Sequence, residues 1–395
     1  MADQTKPHVE TVLQHLGEEE QVLGAVVPPI FQTSLFVFDT WDEFYEAKET
    51  QYDASPEGKC FYSRINNPTL DLVGEKVAAL EHTERARLFT SGMSAISAAV
   101  MASTKTGGHI VCVDTCYGPT RDFLTEYMPR FGVETTFVVG NDPEEVFDAV
   151  LPETSVIYLE SPSSIVYRLQ DLEAVAGEAR RRGIRTLADN SYCSPIFQTP
   201  ADFGIDIVLH SATKYLGGHS DVVAGALATS DEIMREIMEN EVQYLGASLP
   251  PFPAWLILRS LRTLAIRMRQ HRETADTVAL WLRDRPEVER VFHTGFEEFP
   301  QRELYLKQMS GSSGLFSFEL KDQDAGRLRA FTEAMRVFRL GVSWGGHESL
   351  CIPLEYCPMD WPEKKWLVRL FCGLEHADDL IADLDQALAV GRPRS

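Results

Sequence analysis

The stretch from His210 to Gly218, "HSATKYLGG", carries one cation among hydroxyls and glycines, directly after the apolar run "IDIVL". Lys214 is the residue in it whose type can do chemistry. A lysine that follows a buried strand must be solvated, paired or used, and its amine can condense with a carbonyl. A second candidate, Asp189, follows Leu187 and Ala188 in "LADNS". It lies 214 − 189 = 25 residues earlier, a separation suited to one helix or loop plus one strand. A third candidate is "SGMS" at 91–94, which opens the small-residue run "AISAAV". If that run is helical, its free N–H groups and positive dipole end suit a phosphate. Each feature has a plainer explanation: a surface lysine, an aspartate that starts a turn before Asn190, an ordinary helix cap. The argument rests on the three together.

The surrounding pattern says what would bring them together. The runs "HIVCVD", "ETTFVVG", "SVIYLES", "RTLADNS" and "DIVLHS" predict strands, and "PTRDFLTEYMPRFG", "DPEEVFDAVL" and "LQDLEAVAGEARRRG" predict the helices between them. Such alternation implies an α/β fold with a mainly parallel sheet covered on both faces. Chemistry in such sheets gathers beyond the carboxyl ends of the strands. Asp189 and Lys214 then share one edge. Upstream, "VVPPIFQTSLFVFDTWDEF" is proline-bearing and without helical period, and reads as an extended arm over another subunit. Downstream, "PAWLILRSLRTLAIRMRQHRETADTVALWLRDR" predicts one long helix, and "SGLFSFEL" and "WLVRLFCGLE" predict strands of a smaller α+β domain. The expected division is an arm at 1–60, a large domain at 61–255 and a small C-terminal domain at 256–395.

A lysine, an aspartate and a phosphate cradle at one sheet edge fit pyridoxal 5'-phosphate (PLP). The lysine amine would take its aldehyde, and the aspartate would keep its pyridine nitrogen protonated, so that the ring can accept electrons. Ser211 and Thr213 flank the lysine and offer hydroxyls to phosphate oxygens.

Composition narrows the rest. The 395 residues hold 37 basic and 59 acidic side chains, a net charge of -22, which disfavours nucleic acid as a partner. The basic runs "ARRRGIR" and "RTLAIRMRQHR" read as solvated helix faces. No run approaches the roughly 18 apolar residues of a membrane span, and the first twenty residues lack the apolar core of a secretory signal. Seven dispersed cysteines, with no second Cys/His pair to complete Cys112 and Cys116, give no metal set. A reduced, cytoplasmic protein is expected.

The motif "HSATKYLGGHSDVV" resembles the cofactor-lysine signature of the Cys/Met-metabolism enzymes, PLP proteins of fold type I. The resemblance extends over nearly the whole chain, through "YSRINNPT" at 62–69, "TSGMSAI" at 90–96, "YGPT" at 117–120, "ADNSYCSPIFQ" at 188–198, "SWGGHESL" at 343–350 and "RLFCGLEHADDLIADL" at 369–384. It implies that Lys214 holds the cofactor and then moves protons, and that Asp189 pairs with the pyridinium. Tyr117 would stack on the ring and help with protons. Gly92 and Met93 would give N–H groups to the phosphate, with Ser211 and Thr213. Tyr62 and Arg64 would reach the phosphate of a neighbouring subunit, within a homotetramer. Arg369 would clamp the substrate α-carboxylate, a bidentate task suited to arginine, with Ser343 in the same pocket.

Departures from the family pattern bear on the reaction. Ser164 stands where an asparagine usually touches the ring, and "SWGG" follows Val342 where γ-acting synthases carry a glutamate before "SLGG". Both are similar to bacterial cystathionine β-lyases. "YSRINNPTL" and "KYLGGHSDVVAGAL" resemble the γ-acting branch instead, and Pro119 stands where methionine γ-lyases usually have a cysteine. The expected activity is a PLP-dependent carbon–sulfur lyase giving a thiol, pyruvate and ammonia from cystathionine or a related thioether. The alternative is γ-elimination or γ-replacement. A scaffold protein without catalysis fits poorly with Lys214, Asp189, Tyr117 and Arg369 all kept. A nicotinamide dehydrogenase lacks its G-x-G-x-x-G.

Overall fold

The computed structural model describes residues 7–19, 21–53 and 60–390. Of the expected arm, residues 1–6, 20 and 54–59 lie outside that description.

Twelve strands are described: β1 (Arg85–Phe89), β2 (His109–Val113), β3 (Glu134–Val138), β4 (Thr154–Glu160), β5 (Arg185–Asp189), β6 (Ile207–His210), β7 (Gly225–Thr229), β8 (Val288–Phe292), β9 (Leu315–Leu320), β10 (Arg339–Leu340), β11 (Leu350–Tyr356) and β12 (Lys365–Phe371). Seven form one sheet in the order β1-β7-β6-β5-β4-β2-β3. β7 is antiparallel to both of its neighbours, β6 and β1, and every other pairing is parallel. The carboxyl ends of β1, β2, β4, β5 and β6 therefore meet along one edge. β2 and β7 are buried at every position, the signature of a sheet with helices on both faces.

The helix Gly92–Ser103 starts at that edge, three residues beyond β1's last residue. Ser91 caps it: its hydroxyl accepts from the Ser94 N–H at 3.0 Å, and the Ser91 N–H reaches the Ser94 hydroxyl at 2.9 Å. This is a reciprocal capping box, built with serine in place of the usual acid. The second sheet has the order β10-β11-β12-β9-β8 and is antiparallel except for β10 against β11. It carries Arg369 on β12, between Ile352 of β11 and Ser317 of β9. Among the described residues no helix is long and apolar enough to cross a membrane.

Three sequence expectations need correction. The single long helix is two, Pro251–Leu261 and Leu264–Arg283, broken at Arg262 and Thr263. The chain start docks at that break: Gln14 Nε2 donates to the Arg262 carbonyl at 2.7 Å, and Arg262 Nη2 reaches Glu18 at 2.6 Å. The extended stretch ends earlier than read, because Trp41–Glu49 is a helix capped by Thr40, whose hydroxyl accepts from the Glu43 N–H at 3.2 Å. The helix expected over 119–132 is present as one unbroken helical stretch from 118 to 131, but its winding changes from α (Gly118–Asp122) to π (Phe123–Tyr127) to 3₁₀ (Met128–Phe131). Pro129 removes an N–H that a continuous α-helix would need.

Candidate active site

Lys214 sits in a tight turn just past β6. Its N–H donates to the Ser211 carbonyl at 3.0 Å, and its own carbonyl accepts from the Gly218 N–H at 2.6 Å. The side chain runs inward, and Nζ donates to the Ser343 hydroxyl and lies 5.2 Å from the Trp344 ring centre. Burial, then the nearby Arg369 guanidinium, push the amine down to about 8, against the opposing pull of Asp189. A cation in such a place is costly, so the neutral, basic form is reached at a lower pH than for a solvated lysine. Gly345 makes the approach feasible. It has φ +86, and a Cβ there would stand 2.9 Å from the Lys214 backbone.

Asp189 ends β5 and is buried. One oxygen accepts from the Ser191 N–H at 2.9 Å. Burial raises its pKa, while bonding to Ser191 and the charges of His210 and Lys214 lower it. Arg369 Nη2 donates to the Ser343 carbonyl at 3.0 Å, so Ser343 touches Arg369 through its backbone and Lys214 through its side chain. Tyr117 lies four residues past β2, and the residue is 44% exposed at the edge. Burial, then Asp189 and Glu160, raise its phenol pKa, which keeps the phenol protonated near neutrality.

The cradle is formed by Gly92 and Met93 at the helix start, faced by Ser211. A Cβ on Gly92 would lie 3.0 Å from Ser211 Cβ, and one on Gly225 would lie 2.1 Å from the Ser91 carbonyl oxygen. Thr213 is differently engaged: its hydroxyl donates to the Ala224 carbonyl at 3.1 Å and accepts from the Ala224 N–H at 3.0 Å. It ties the lysine turn to the start of β7.

Tyr62 and Arg64 are apart from this cluster. They line a separate hollow of about 360 Å³ with Lys48, Gln51, Tyr52, Phe61, Ile65 and Gln243. Arg64 stands 5.3 Å from the Tyr62 ring centre and 3.5 Å from Gln243 Oε1. The buried Arg87 props their turn, with Nη2 donating to the Arg64 carbonyl at 2.6 Å and to Ser248 at 2.9 Å.

One residue at the edge was not singled out from the sequence. Glu160 ends β4, opposite Asp189 in register. Its carboxyl accepts from the Tyr117 N–H and from the Ser164 hydroxyl, both at 2.6 Å. The available signal was its place: an acid closing an apolar strand, like Asp189. Val342, which carried part of the sequence argument, is 83% exposed. Among the described residues no group of three or more His, Cys, Asp or Glu side chains could hold a metal ion.

An anion cradle at a helix start, a half-buried lysine with a lowered pKa just past β6 and a buried carboxylate at the end of the adjacent strand β5 converge on one edge of a mainly parallel sheet. This donor set fits a phosphate, a pyridinium and an aldehyde, and defines the class as a PLP-dependent enzyme. The family model for Cys/Met metabolism PLP-dependent enzymes matches residues 10–389, and the chain belongs to that family. It is 40% identical over 386 residues to the L-methionine gamma-lyase of Porphyromonas gingivalis, which covers 95% of each chain. Identity to the cystathionine beta-lyase MetC of Bacillus subtilis is 37% over 377 residues, 92% of each chain. A racemase is also similar, the L-alanine/L-glutamate racemase of Wolbachia pipientis, at 32% over 393 residues and 96% of each chain. The family and its lyase members make this chain a PLP-dependent lyase.

Proposed function

We propose that the enzyme is a carbon–sulfur lyase that releases a thiol, pyruvate and ammonia from cystathionine or a related thioether amino acid by β-elimination. The observation that carries this reading is the meeting of Lys214 and Arg369 on Ser343. It sets a base beside a carboxylate clamp, the arrangement that α-proton removal from an amino acid requires.

PLP, when bound, draws electron density from the substrate α-carbon and makes its proton acidic. Lys214 would hold the cofactor at rest. Gly92, Met93, Ser211 and Thr213 would bind the phosphate, and Asp189 the pyridinium. Arg369 would bind the α-carboxylate, with Ser343 fixing the guanidinium through its carbonyl. Lys214, neutral above about 8, would take the α-proton and pass it to the departing sulfur. Tyr117, kept protonated, would cover the ring face and supply a proton on that side. Tyr62 and Arg64, which line a hollow that does not include Lys214, would serve the phosphate of a second chain, within the homotetramer that the resemblance implies. The division into an arm to residue 60, a large domain to 255 and a small domain beyond belongs to the same reading.

A second reading, γ-elimination, is favoured by the 40% identity to a methionine gamma-lyase. It needs a further proton transfer from Cβ, a task that would fall to Lys214 and Tyr117. One experiment separates them. The purified holoenzyme is given cystathionine, methionine and S-alkyl cysteines, and pyruvate and 2-oxobutyrate are scored separately. Pyruvate from cystathionine supports β-elimination, and 2-oxobutyrate without pyruvate overturns it in favour of the γ reading. Exchange of the α-hydrogen in heavy water without either keto acid would count against both.

A further inference from the structure

Glu160 is expensive to place. In a parallel pair, residues in register point to the same face, so Glu160 and Asp189 are two carboxyls side by side on the face that holds the site. Both are buried. Burial, then the charge of Asp189, push Glu160 up to about 8 against its bonds from Ser164 and Tyr117. Two polar donors alone would be met more cheaply by a neutral acceptor away from another acid.

What the carboxyl does is join two loops. The loop after β2 carries Tyr117, and the loop after β4 carries Ser164. Their backbones are already tied: the Ser164 N–H donates to the Thr115 carbonyl at 2.9 Å, and the Thr115 hydroxyl donates to Ser163 at 2.8 Å. Those bonds leave the Ser164 hydroxyl and the Tyr117 N–H open, and Glu160 takes both. The Tyr117 carbonyl accepts from Thr120 at 3.0 Å and Arg121 at 3.1 Å, so its peptide groups are held on both sides while its ring stands at the open edge. The Ser164 loop is under backbone strain. Ile165 and Tyr167, at φ 70 and 54, are left-handed without being glycine. A strained loop keeps its shape only where its contacts fix it, and the Ser164–Glu160 bond is one such contact.

We propose that Glu160 is a positioning residue for the reaction: it fixes Tyr117 over the cofactor ring and Ser164 at the ring's flank through one shared carboxyl. The proposal rests on the reading of Tyr117 as the ring-facing residue, and the experiment tests the two separately.

Glu160→Gln, Glu160→Ala, Ser164→Ala and Tyr117→Ala enzymes are loaded with PLP. The measurements are cofactor content, visible circular dichroism of the bound cofactor, kcat and KM. Gln keeps the shape but turns one acceptor into a donor, so it decides if the Ala variant does not fold. The Glu160 variants are expected to hold one cofactor per chain, to lose at least about half of the visible dichroism and to lose about 10- to 100-fold in kcat, with KM within about threefold. Ser164→Ala should give part of that loss, and should add nothing to Glu160→Ala, because the two act through one bond. Dichroism and kcat within about twofold of the parent in both Glu160 variants would overturn the proposal. So would a folded Glu160→Gln protein that no longer holds cofactor, since Glu160 would then bind rather than position. If Tyr117→Ala also leaves the dichroism unchanged, the ring-facing reading of Tyr117 falls, and the proposal with it.

Discussion

Lys214, in the turn after β6 of the large sheet, and Ser343, between β10 and β11 of the small one, are joined by a hydrogen bond from Nζ to the serine hydroxyl. Ser343 precedes β11 and adopts φ 81, a left-handed conformation that a serine rarely takes. That backbone turns its carbonyl to Arg369, 3.0 Å away, and its hydroxyl to the lysine. A single strained residue thereby couples Lys214, the proposed base, to Arg369, the proposed carboxylate clamp.

The two contacts of Ser343 can be separated by substitution. Ser343→Ala removes the hydroxyl and keeps the carbonyl. It should lower kcat about tenfold and leave KM within about threefold, since the clamp is intact. Ser343→Gly also lacks the hydroxyl but relieves the strain. It should show the same kcat loss together with unchanged or higher stability in a thermal melt. A full recovery of kcat in the glycine variant would place the effect in the backbone and not in the lysine tether.

The lowered amine of Lys214 makes cofactor loading depend on pH. Only a free amine attacks an aldehyde, so apoenzyme should take up PLP about tenfold faster per pH unit until about 8 and level off above it. Stopped-flow absorbance measures this. The sign for stability follows from the same shift. Between about 8 and the ordinary 10.5 the unfolded chain holds a proton that the folded amine lacks. This group therefore makes apoenzyme stability rise with pH in that window, and adds no slope below it. Lys214→Met should remove both the loading limb and that slope.

Reading the chain in one dimension recovered the sheet edge because strand ends are marked locally. "LADNS" and "LHSATK" each switch from apolar to polar within one residue, and β5 and β6 end where that switch occurs. The helix after β1 was legible for the same reason, through Ser91. The break at Arg262 was not legible, because the contacts made there come from about 250 residues away, from Gln14 and Glu18. Glu160 was overlooked for a related reason. An acid at a strand end is ordinary until its partners on the loop after β2 and on its own following loop are known.

The cradle predicts opposite outcomes for two glycines. A Cβ on Gly225 would meet the Ser91 carbonyl at 2.1 Å, which is backbone and has little room to move. Gly225→Ala should push the helix start away from Ser211, cost about 1–3 kcal/mol and weaken PLP binding measured by fluorescence titration. Gly177 lies inside the helix Leu172–Arg182, and a Cβ there meets nothing within 4 Å. Gly177→Ala should stabilise by about 0.5–1 kcal/mol through helix propensity alone and leave PLP binding unchanged.

Far from the edge, Lys76 is fully buried, with Nζ 3.0 Å from Glu18 Oε1 and 3.3 Å from the Leu13 carbonyl. Glu18 also meets Arg262 at 2.6 Å, so one carboxylate joins the chain start to the helix Pro68–Glu81 and to the break at Arg262. Removing Glu18 leaves a buried ammonium whose remaining hydrogen-bond partner among the described residues is the Leu13 carbonyl, and such a loss costs about 3–5 kcal/mol. Glu18→Ala should therefore lower the urea midpoint strongly. Lys76→Met alone should be milder, because Glu18 keeps Arg262 as a partner. The order of the double variant decides the cause. If the damage is the unpaired cation, Lys76→Met added to Glu18→Ala restores much of the lost stability. If the damage is the loosened chain start, the double variant is no better than Glu18→Ala.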